Sequence, residues 1–445
     1  MLHDQPWIRL APHMVEEYEQ CVLEGLEVEE FKTACERARR TGDEELASAL
    51  YDAMHRAGTK EGYPYEEPSD YEGIVACSPK KQQKKSDTLD EEQLKDRLEG
   101  AWTGRIAGCL LGKPTEGFPR DVVYPMLKES GNWPLHKYIM KKDMSEKYAK
   151  MAETPGQWFY GRCYADLTDG ISPSDDDTNY TVLSLKLVEM YGKNFKSEDV
   201  LEAWLQFLPY LNVCTAERVA YRNAAMGLLP PQSAEAYNPF REWIGAQIRI
   251  DFFGYINPGD PVRAAEMAYR DAVISHVKNG IYGAMFAAAA IAAAFTAETA
   301  DDILDAALDV IPANCRLRRD IDQVRKWHAE GLSAEDVMDK IHELYPPHAA
   351  AGWVYTNPNT MIVAMAVLYG KKDFGKSMCL AVQACYDTDC NGATVGSILG
   401  TWVGRKAIPE VWLEPFHGKL HTNISGYPVV DTGDLTRRTL PLVNR

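Results

Sequence analysis

The sequence feature that most constrains the fold is a series of four glycines spaced four residues apart. Gly100, Gly104, Gly108 and Gly112 lie in the segment LKDRLEGAWTGRIAGCLLG. Glycine inside an isolated helix costs about 1 kcal/mol relative to alanine, so four of them require a compensating contact. Their spacing places them on one face of a helix, where another backbone can approach closely. The pattern therefore predicts a helix that packs its glycine face against a neighbouring helix.

The rest of the chain from Thr88 onward also has helical periodicity, with apolar residues three and four apart. Thr88, followed three residues later by Glu91, predicts the cap of the glycine-rich helix. Strand-like alternation is almost absent, apart from hints in the C-terminal tail. We therefore predict an all-α protein, with one large helical domain over residues 91–425 and a tail over 426–445. Further helices are predicted over 178–191, 197–207, 261–277, 281–295, 300–311, 321–329, 334–345, 359–368, 374–384 and 392–404.

The first 90 residues form a distinct acidic segment, with 20 Asp and Glu against 11 Lys and Arg. Helical periodicity extends to about residue 57 and is followed by a linker-like stretch rich in Gly, Pro, Ser and Lys. We predict an acidic helical extension with a linker over residues 1–90. Two roles remain open: a helical cap packed on the main body, or an arm for docking or oligomerisation.

Composition excludes several classes of protein. The net charge of −17 argues against stable nucleic-acid binding. The one cluster of basic residues is a weak patch of four lysines at 80–85. No export signal is evident, and the alanine-rich stretch 281–297 is too short and too weakly apolar to span a bilayer. The ten cysteines are scattered without CxxC pairs, which favours a cytoplasmic location and argues against a zinc site.

Two acidic motifs carry the strongest chemical signal. Asp175, Asp176 and Asp177 precede one predicted helix, and Asp387 and Asp389 lie between two apolar segments. Helix capping would explain one aspartate at each place. It does not explain three consecutive carboxylates, which are costly to bury without a counter-charge, and neither motif contains Lys or Arg. Oxygen-preferring divalent cations such as Mg²⁺ or Mn²⁺ would neutralise them, and converging motifs could bridge two ions.

Three other features are weaker candidates. Glu116 lies on a loop between Gly112 and Gly117. It could be a general base or a surface residue. The segment 237–259 mixes aromatic, amide and charged side chains, which suit a nucleobase or sugar but also a loop that seals the core. His276 is a candidate substrate contact, although a lone histidine at a helix end is more often structural. The candidate substrate-binding residues are Asn238, Trp243, Arg249, Asp251 and His276.

With these motifs in this order, residues 91–425 resemble the ADP-ribosylglycohydrolase family, which is related to dinitrogenase reductase-activating glycohydrolase. The glycine-faced helix and Gly112-Lys-Pro-Thr-Glu116 resemble the opening helix and glutamate loop of the family. Asp175-Asp-Asp-Thr178 and Asp387-Thr-Asp-Cys390 resemble its two metal-binding motifs, with Asp175 and Cys390 at positions where the family usually has threonine. Cys109 replaces an aspartate that is frequent in the family, and its asparagine-rich substrate segment has only a partial counterpart near Asn223.

The resemblance implies a single orthogonal helical domain with two Mg²⁺ or Mn²⁺ ions at the floor of a cleft. The implied metal ligands are Asp175, Asp176, Asp177, Asp387, Asp389 and Cys390, and the implied catalytic residues are Glu116, Asp177 and Asp389. The implied activity is hydrolysis of a C1 ribosyl bond, most simply that of ADP-ribose on a protein or small molecule. Three alternatives remain: cleavage of a small ribofuranoside or nucleoside, hydrolysis of a phosphoester, and non-catalytic binding of metal or ADP-ribose.

Overall fold

The computed structural model describes residues 7–79, 89–151, 164–347 and 352–443. The first four helices belong to the N-terminal segment: α1 (Met14–Leu23), α2 (Lys32–Thr41), α3 (Glu44–Met54) and α4 (Tyr71–Cys77). The first three enclose a small apolar core of their own, around Met14, Cys21 and Met54. They also pack on the main body, since Tyr51 donates a hydrogen bond to the Glu235 carbonyl.

The main body consists of helices around one large apolar core. Its helices are α5 (Glu91–Gly112), α6 (Arg120–Glu129), α7 (Glu146–Met151), α8 (Asp176–Tyr191), α9 (Ser197–Phe207), α10 (Thr215–Ala225), α11 (Gln232–Glu235), α12 (Asp251–Tyr255), α13 (Pro261–Ala272), α14 (Lys278–Ala294), α15 (Ala300–Leu308), α16 (Arg316–Ala329), α17 (Ala334–Leu344), α18 (Thr356–Gly370), α19 (Phe374–Gln383) and α20 (Thr388–Val403). This confirms the predicted all-α fold class. In the part of the chain described, no helix has the length and apolarity needed to cross a membrane.

The two strands found among the described residues lie near the C-terminal end of the chain, on either side of residue 425. Strands β1 (Lys419–His421) and β2 (Val429–Asp431) pair antiparallel, with Leu420 opposite Val430. Helix α21 (Thr432–Val443) follows and packs on α5, where the Trp102 indole donates to the Thr439 hydroxyl at 3.1 Å. The tail therefore contributes Leu435 and Leu442 to the main core.

Helices α5 and α20 form the central antiparallel pair. Gly100, Gly104 and Gly108 lie against Gly400, Gly396 and Gly392, so closely that a Cβ on any of the six would overlap a carbonyl of the other helix. The predicted close helix–helix contact is thereby confirmed, with α20 as the partner. At the end of this contact Gly112 lies against the backbone of Thr388. The pairing thus brings the loop after α5 to the N-terminus of α20.

Helix termini differ from the predicted ones where capping decides them. Helix α5 begins at Glu91 with Asp90 as its cap, and the carboxylate of Asp90 accepts a bond from the Gln93 amide at 2.8 Å. The predicted cap, Thr88, lies outside the described residues. Helix α20 begins at Thr388 rather than at residue 392, so the second acidic motif is the first turn of the helix.

Candidate metal and active site

Three helix ends bring the two acidic motifs together. Asp175 precedes α8, Asp387 precedes α20, and Lys113 and Glu116 follow α5. The N-termini of α8 and α20 carry the positive ends of their helix dipoles, which favour nearby carboxylates. Asp175 caps α8 by accepting a bond from the Asp177 amide at 2.9 Å. Asp387 makes no such side-chain cap, so capping does not account for the second motif.

The site contains six carboxyl groups, which we call the carboxylate cage: Glu116, Asp175, Asp176, Asp177, Asp387 and Asp389. Two of its carboxyl groups are partly accessible, since Asp176 is half-buried and the Glu116 side chain is 27% exposed. The other four are buried.

Two cations from α5 and the loop after it enter this cage. The Lys113 ammonium contacts Asp175, and it lies 2.7 Å from Asp389 Oδ2 and 3.1 Å from Glu116 Oε2. The Arg105 guanidinium pairs with Asp177 Oδ1 at 2.7 Å and with Asp251 Oδ2 at 3.0 Å. The sequence motifs themselves contain no counter-charge, but a helix distant in sequence supplies it.

Even with these two cations, the cage retains excess negative charge. Asp387 Oδ1 and Asp389 Oδ1 are buried without a hydrogen-bond partner among the described residues. Burial, followed by the charge of Asp389, raises the pKa of Asp387 well above its ordinary value. Unpartnered, mutually repelling carboxylate oxygens are the donor set that Mg²⁺ and Mn²⁺ prefer, so the residues present fit a divalent ion.

Cys390 links the two motifs as a thiol. Its Sγ donates to Asp177 Oδ2 at 3.2 Å, and burial followed by the charge of Asp177 raises the pKa of the thiol well above its ordinary value. In this structure the thiol therefore acts as a hydrogen-bond donor that connects the first turn of α20 to Asp177. A second buried cysteine, Cys109 on α5, has its sulfur within 4.8 Å of ligand atoms of Asp175, Asp177 and Asp389.

Glu116 lies at the partly exposed edge of the cage. Burial, followed by the charge of Asp389, raises the pKa of Glu116 to about 8. The loop is held by Gly117, which has a φ of +69° and packs under the half-buried Trp353. A carboxyl group with a raised pKa can act as a general acid near neutral pH.

Comparison with known proteins shows the family to which this chain belongs. The ADP-ribosylglycohydrolase family model matches residues 90–439, most of the chain. The chain belongs to the ADP-ribosylglycohydrolase family. Among solved structures, one entitled "ADP-ribosylglycohydrolase-related protein complex" is 19% identical, covers 79% of this chain and 99% of that chain, and has a TM-score of 0.48. A search of curated proteins finds no significant match.

Four of the five predicted substrate-binding residues are buried and contact other parts of the protein in the structure. Asn238 is fully buried and donates to the carbonyls of Ala234 and Ser275. Arg249 is fully buried between Asp271 and Glu217. These side chains are saturated by the protein itself, so they brace the core.

Trp243 and His276 are also enclosed. The Trp243 ring packs edge-on against Phe240 with ring centroids 4.7 Å apart. His276 Nδ1 is 2.8 Å from the Ser275 hydroxyl, and burial lowers the pKa of the imidazole well below its ordinary value. Asp251, by contrast, is tied to the cage through Arg105.

The sequence analysis gave no role in the site to Arg105, Cys109 or Lys113, although the sequence contains a signal for them. They are spaced four residues apart, each directly after a glycine of α5. Residues i, i+4 and i+8 share a helix face, so these three polar side chains form a row beside the glycine face. The glycine face packs on α20, and the adjacent row therefore lies next to the first turn of that helix.

Proposed function

We propose that this protein is a divalent-metal-dependent glycoside hydrolase that cleaves the C1 bond of a ribose, most simply that of ADP-ribose linked to a protein or small molecule. The supporting observation is the convergence of both acidic motifs and the Glu116 loop in one cage, where two carboxylate oxygens, on Asp387 and Asp389, lack a partner among the described residues. A scaffold without a bound cation has no use for such a costly set of buried charges.

We assign the following roles to the residues of the cage and their neighbours. Asp387 and Asp389, with Asp176 at the more accessible side, would hold the divalent ion. When bound, such an ion would supply Lewis-acid chemistry and orient ribose hydroxyls and water. Glu116 moves a proton at its carboxyl group, towards the leaving-group oxygen or nitrogen or from the attacking water. Arg105 and Cys390 hold Asp177 in place from opposite oxygens.

The main competing function is cleavage of a small ribofuranoside or nucleoside, which differs from the proposed one in the leaving group and in the rest of the substrate. Asn238 and Arg249, two of the candidate substrate-binding residues, are buried and bonded within the protein. This favours testing small ribofuranosides and nucleosides beside ADP-ribosyl substrates. A melting-temperature scan with Mg²⁺ or Mn²⁺ and with ADP-ribose, ribose, AMP or a nucleoside separates these classes. A metal-dependent rise with ADP-ribose above that with AMP supports the ADP-ribosyl substrate, and a rise with a nucleoside alone supports the small one.

The variant Glu116→Gln tests the reaction class. It removes the proton-transferring group but keeps the size of the side chain, so we expect kcat to fall about 10²–10⁴-fold. The metal-induced rise in melting temperature should persist, because the cage is otherwise intact. Turnover is measured on ADP-ribosyl-arginine and ADP-ribosyl-serine peptides and on nucleosides.

Glu129→Gln, an exposed substitution at the end of α6, is the matched control and should keep full turnover. Retention of full phosphoesterase activity by Glu116→Gln would instead indicate a hydrolase that acts on a phosphoester. Lack of any metal response in the unsubstituted protein would contradict the enzyme proposal altogether.

A further inference from the structure

Lys113 occupies the interior of the carboxylate cage rather than its rim. Its side chain is only 2% exposed, and its ammonium contacts Asp175, Asp389 and Glu116. An ammonium group has three N–H donors, and here each can be directed at a different carboxylate. Lys113 immediately follows Gly112, whose contact with the Thr388 backbone fixes the distance between this lysine and the second motif.

The potential metal ligands form two groups that share Asp389. In the first group, ligand atoms of Cys109, Asp175, Asp177 and Asp389 lie within 4.8 Å of one another. In the second group, those of Asp387, Asp389 and Cys390 do so. One ion in each group, bridged by Asp389, would form a binuclear centre.

The two groups differ in how much of their charge the protein already neutralises. In the first group Lys113 contacts Asp175 and Asp389, and Arg105 pairs with Asp177. Asp389 is shared by both groups, so the difference lies at Asp387, whose Oδ1 lacks a hydrogen-bond partner among the described residues. The first group therefore already holds cations that belong to the protein, whereas the second still requires one.

We propose that the Lys113 ammonium takes the place of one of the two metal ions, so that the protein binds a single divalent ion, on Asp387 and Asp389. This inference rests on the proposed metal-dependent function and changes the expected composition of its centre. A divalent ion ligated by Asp175 and Asp389 would have to displace the ammonium from both carboxylates. The ammonium and a divalent ion at this place would also repel each other at short range.

A built-in cation also has a structural consequence. Lys113 joins the end of α5 to Asp175 before α8 and to Asp389 in the first turn of α20. Its ammonium also donates to Glu116 Oε2 at 3.1 Å and so connects this residue to the aspartates of the cage. The position of the Glu116 loop therefore depends on a covalently attached charge that cannot dissociate.

Metal stoichiometry tests the proposal directly. The full chain is loaded with excess Mn²⁺, desalted, and examined by native mass spectrometry and by electron paramagnetic resonance. We expect one Mn²⁺ per chain in the unsubstituted protein, with the spectrum of an isolated ion. In Lys113→Met, which removes the charge but keeps an unbranched side chain, we expect two Mn²⁺ and a spin-coupled spectrum.

Two controls accompany this pair. Lys113→Arg keeps the positive charge and should bind one ion. Lys137→Met removes a lysine from a surface ion pair with Asp143 and should also bind one. Two Mn²⁺ in the unsubstituted protein would overturn the inference and leave the proposed function standing, and this count does not depend on any variant folding.

One ion in both the unsubstituted protein and Lys113→Met would likewise overturn the role of the lysine. Absence of Mn²⁺ from both would overturn the metal-dependent function as well. The four outcomes therefore separate failure of the inference from failure of the function on which it rests.

Discussion

At the scale of single residues, the cage holds charges that destabilise the fold until a cation binds. Asp387 is buried beside Asp389, and one oxygen of each lacks a partner among the described residues. Because burial and the charge of Asp389 raise the pKa of Asp387, its ionised form is less favourable in the folded state than in the unfolded state. The same carboxylate that would bind metal therefore lowers stability in its absence.

Replacement of Asp387 by Asn should consequently act in opposite directions with and without metal. In EDTA the variant loses a buried repulsive charge, so we expect its melting temperature to rise, by about 1–3 °C for a gain of about 1–3 kcal/mol in a chain of 445 residues. With Mg²⁺ or Mn²⁺ its rise in melting temperature should be largely lost. Differential scanning calorimetry measures both, with exposed Asp121→Asn as the control. Unchanged metal stabilisation in Asp387→Asn would contradict its assignment as a ligand.

The chemistry of the acidic residues could be predicted from the sequence, but their counter-charges could not. Three adjacent carboxylates and an Asp-x-Asp motif beside apolar segments indicate a cation, because such charges are costly to bury without one. Lys113 and Arg105 neutralise them from a different part of the chain, and only the packing of helices decides such pairs. Arg249 shows the converse error. It was predicted to contact substrate, but the sequence does not reveal that Asp271 and Glu217 enclose it.

At the scale of elements, one helix pair determines the geometry of the site. The glycines of α5 and α20 remove every side chain between the two backbones, so the relative position of the helices is fixed by contact of main-chain atoms. This contact could be predicted, because glycines at four-residue spacing destabilise a helix unless another backbone packs against them. Its partner could not, because helix α20 lies about 300 residues further along the chain.

Gly108→Ala should therefore damage both stability and metal binding. The new methyl group would overlap the Gly392 carbonyl, and backbone atoms cannot move aside as a flexible side chain would. We expect a loss of about 1–3 kcal/mol or more in the free energy of unfolding and weaker binding of Mn²⁺, measured by chemical denaturation and calorimetry. Gly58→Ala, with no atom within 4 Å of the added Cβ, should change stability by less than about 0.5 kcal/mol. Equal stability of the two variants would show that the helices can separate without cost.

At the scale of the whole molecule, the acidic extension is joined to the main body by buried charges. The Arg241 guanidinium pairs with Glu17 and Glu24 of α1 and the turn after it, at 2.8 and 2.7 Å. Lys278 also contacts Glu24, and His55 lies 2.9 Å from Glu17. Arg316 binds Glu67 in the same way further along the segment. These contacts support the cap as the role of the extension, and its removal would leave Arg241 and Arg316 buried without these partners.

The variant Arg241→Met tests this coupling through its dependence on pH. Burial alone would raise the pKa of Glu17 and of Glu24, but the charge of Arg241 holds both below their ordinary values. Each pair therefore contributes stability at neutral pH that is lost as the pH falls below about 4.5. At pH 7 the variant leaves two buried carboxylates without their guanidinium, and we expect it to lose about 3–5 kcal/mol. Near pH 4.5 the loss should shrink, because the carboxylates can then take up protons.

Arg9→Met is the control. It removes an exposed pair with Glu44 and should cost less than about 1 kcal/mol at either pH. Denaturation curves at both pH values measure the loss of stability in each variant, and limited proteolysis reports whether the extension detaches. A loss in Arg241→Met that is small or independent of pH would show that these buried pairs do not hold the extension in place.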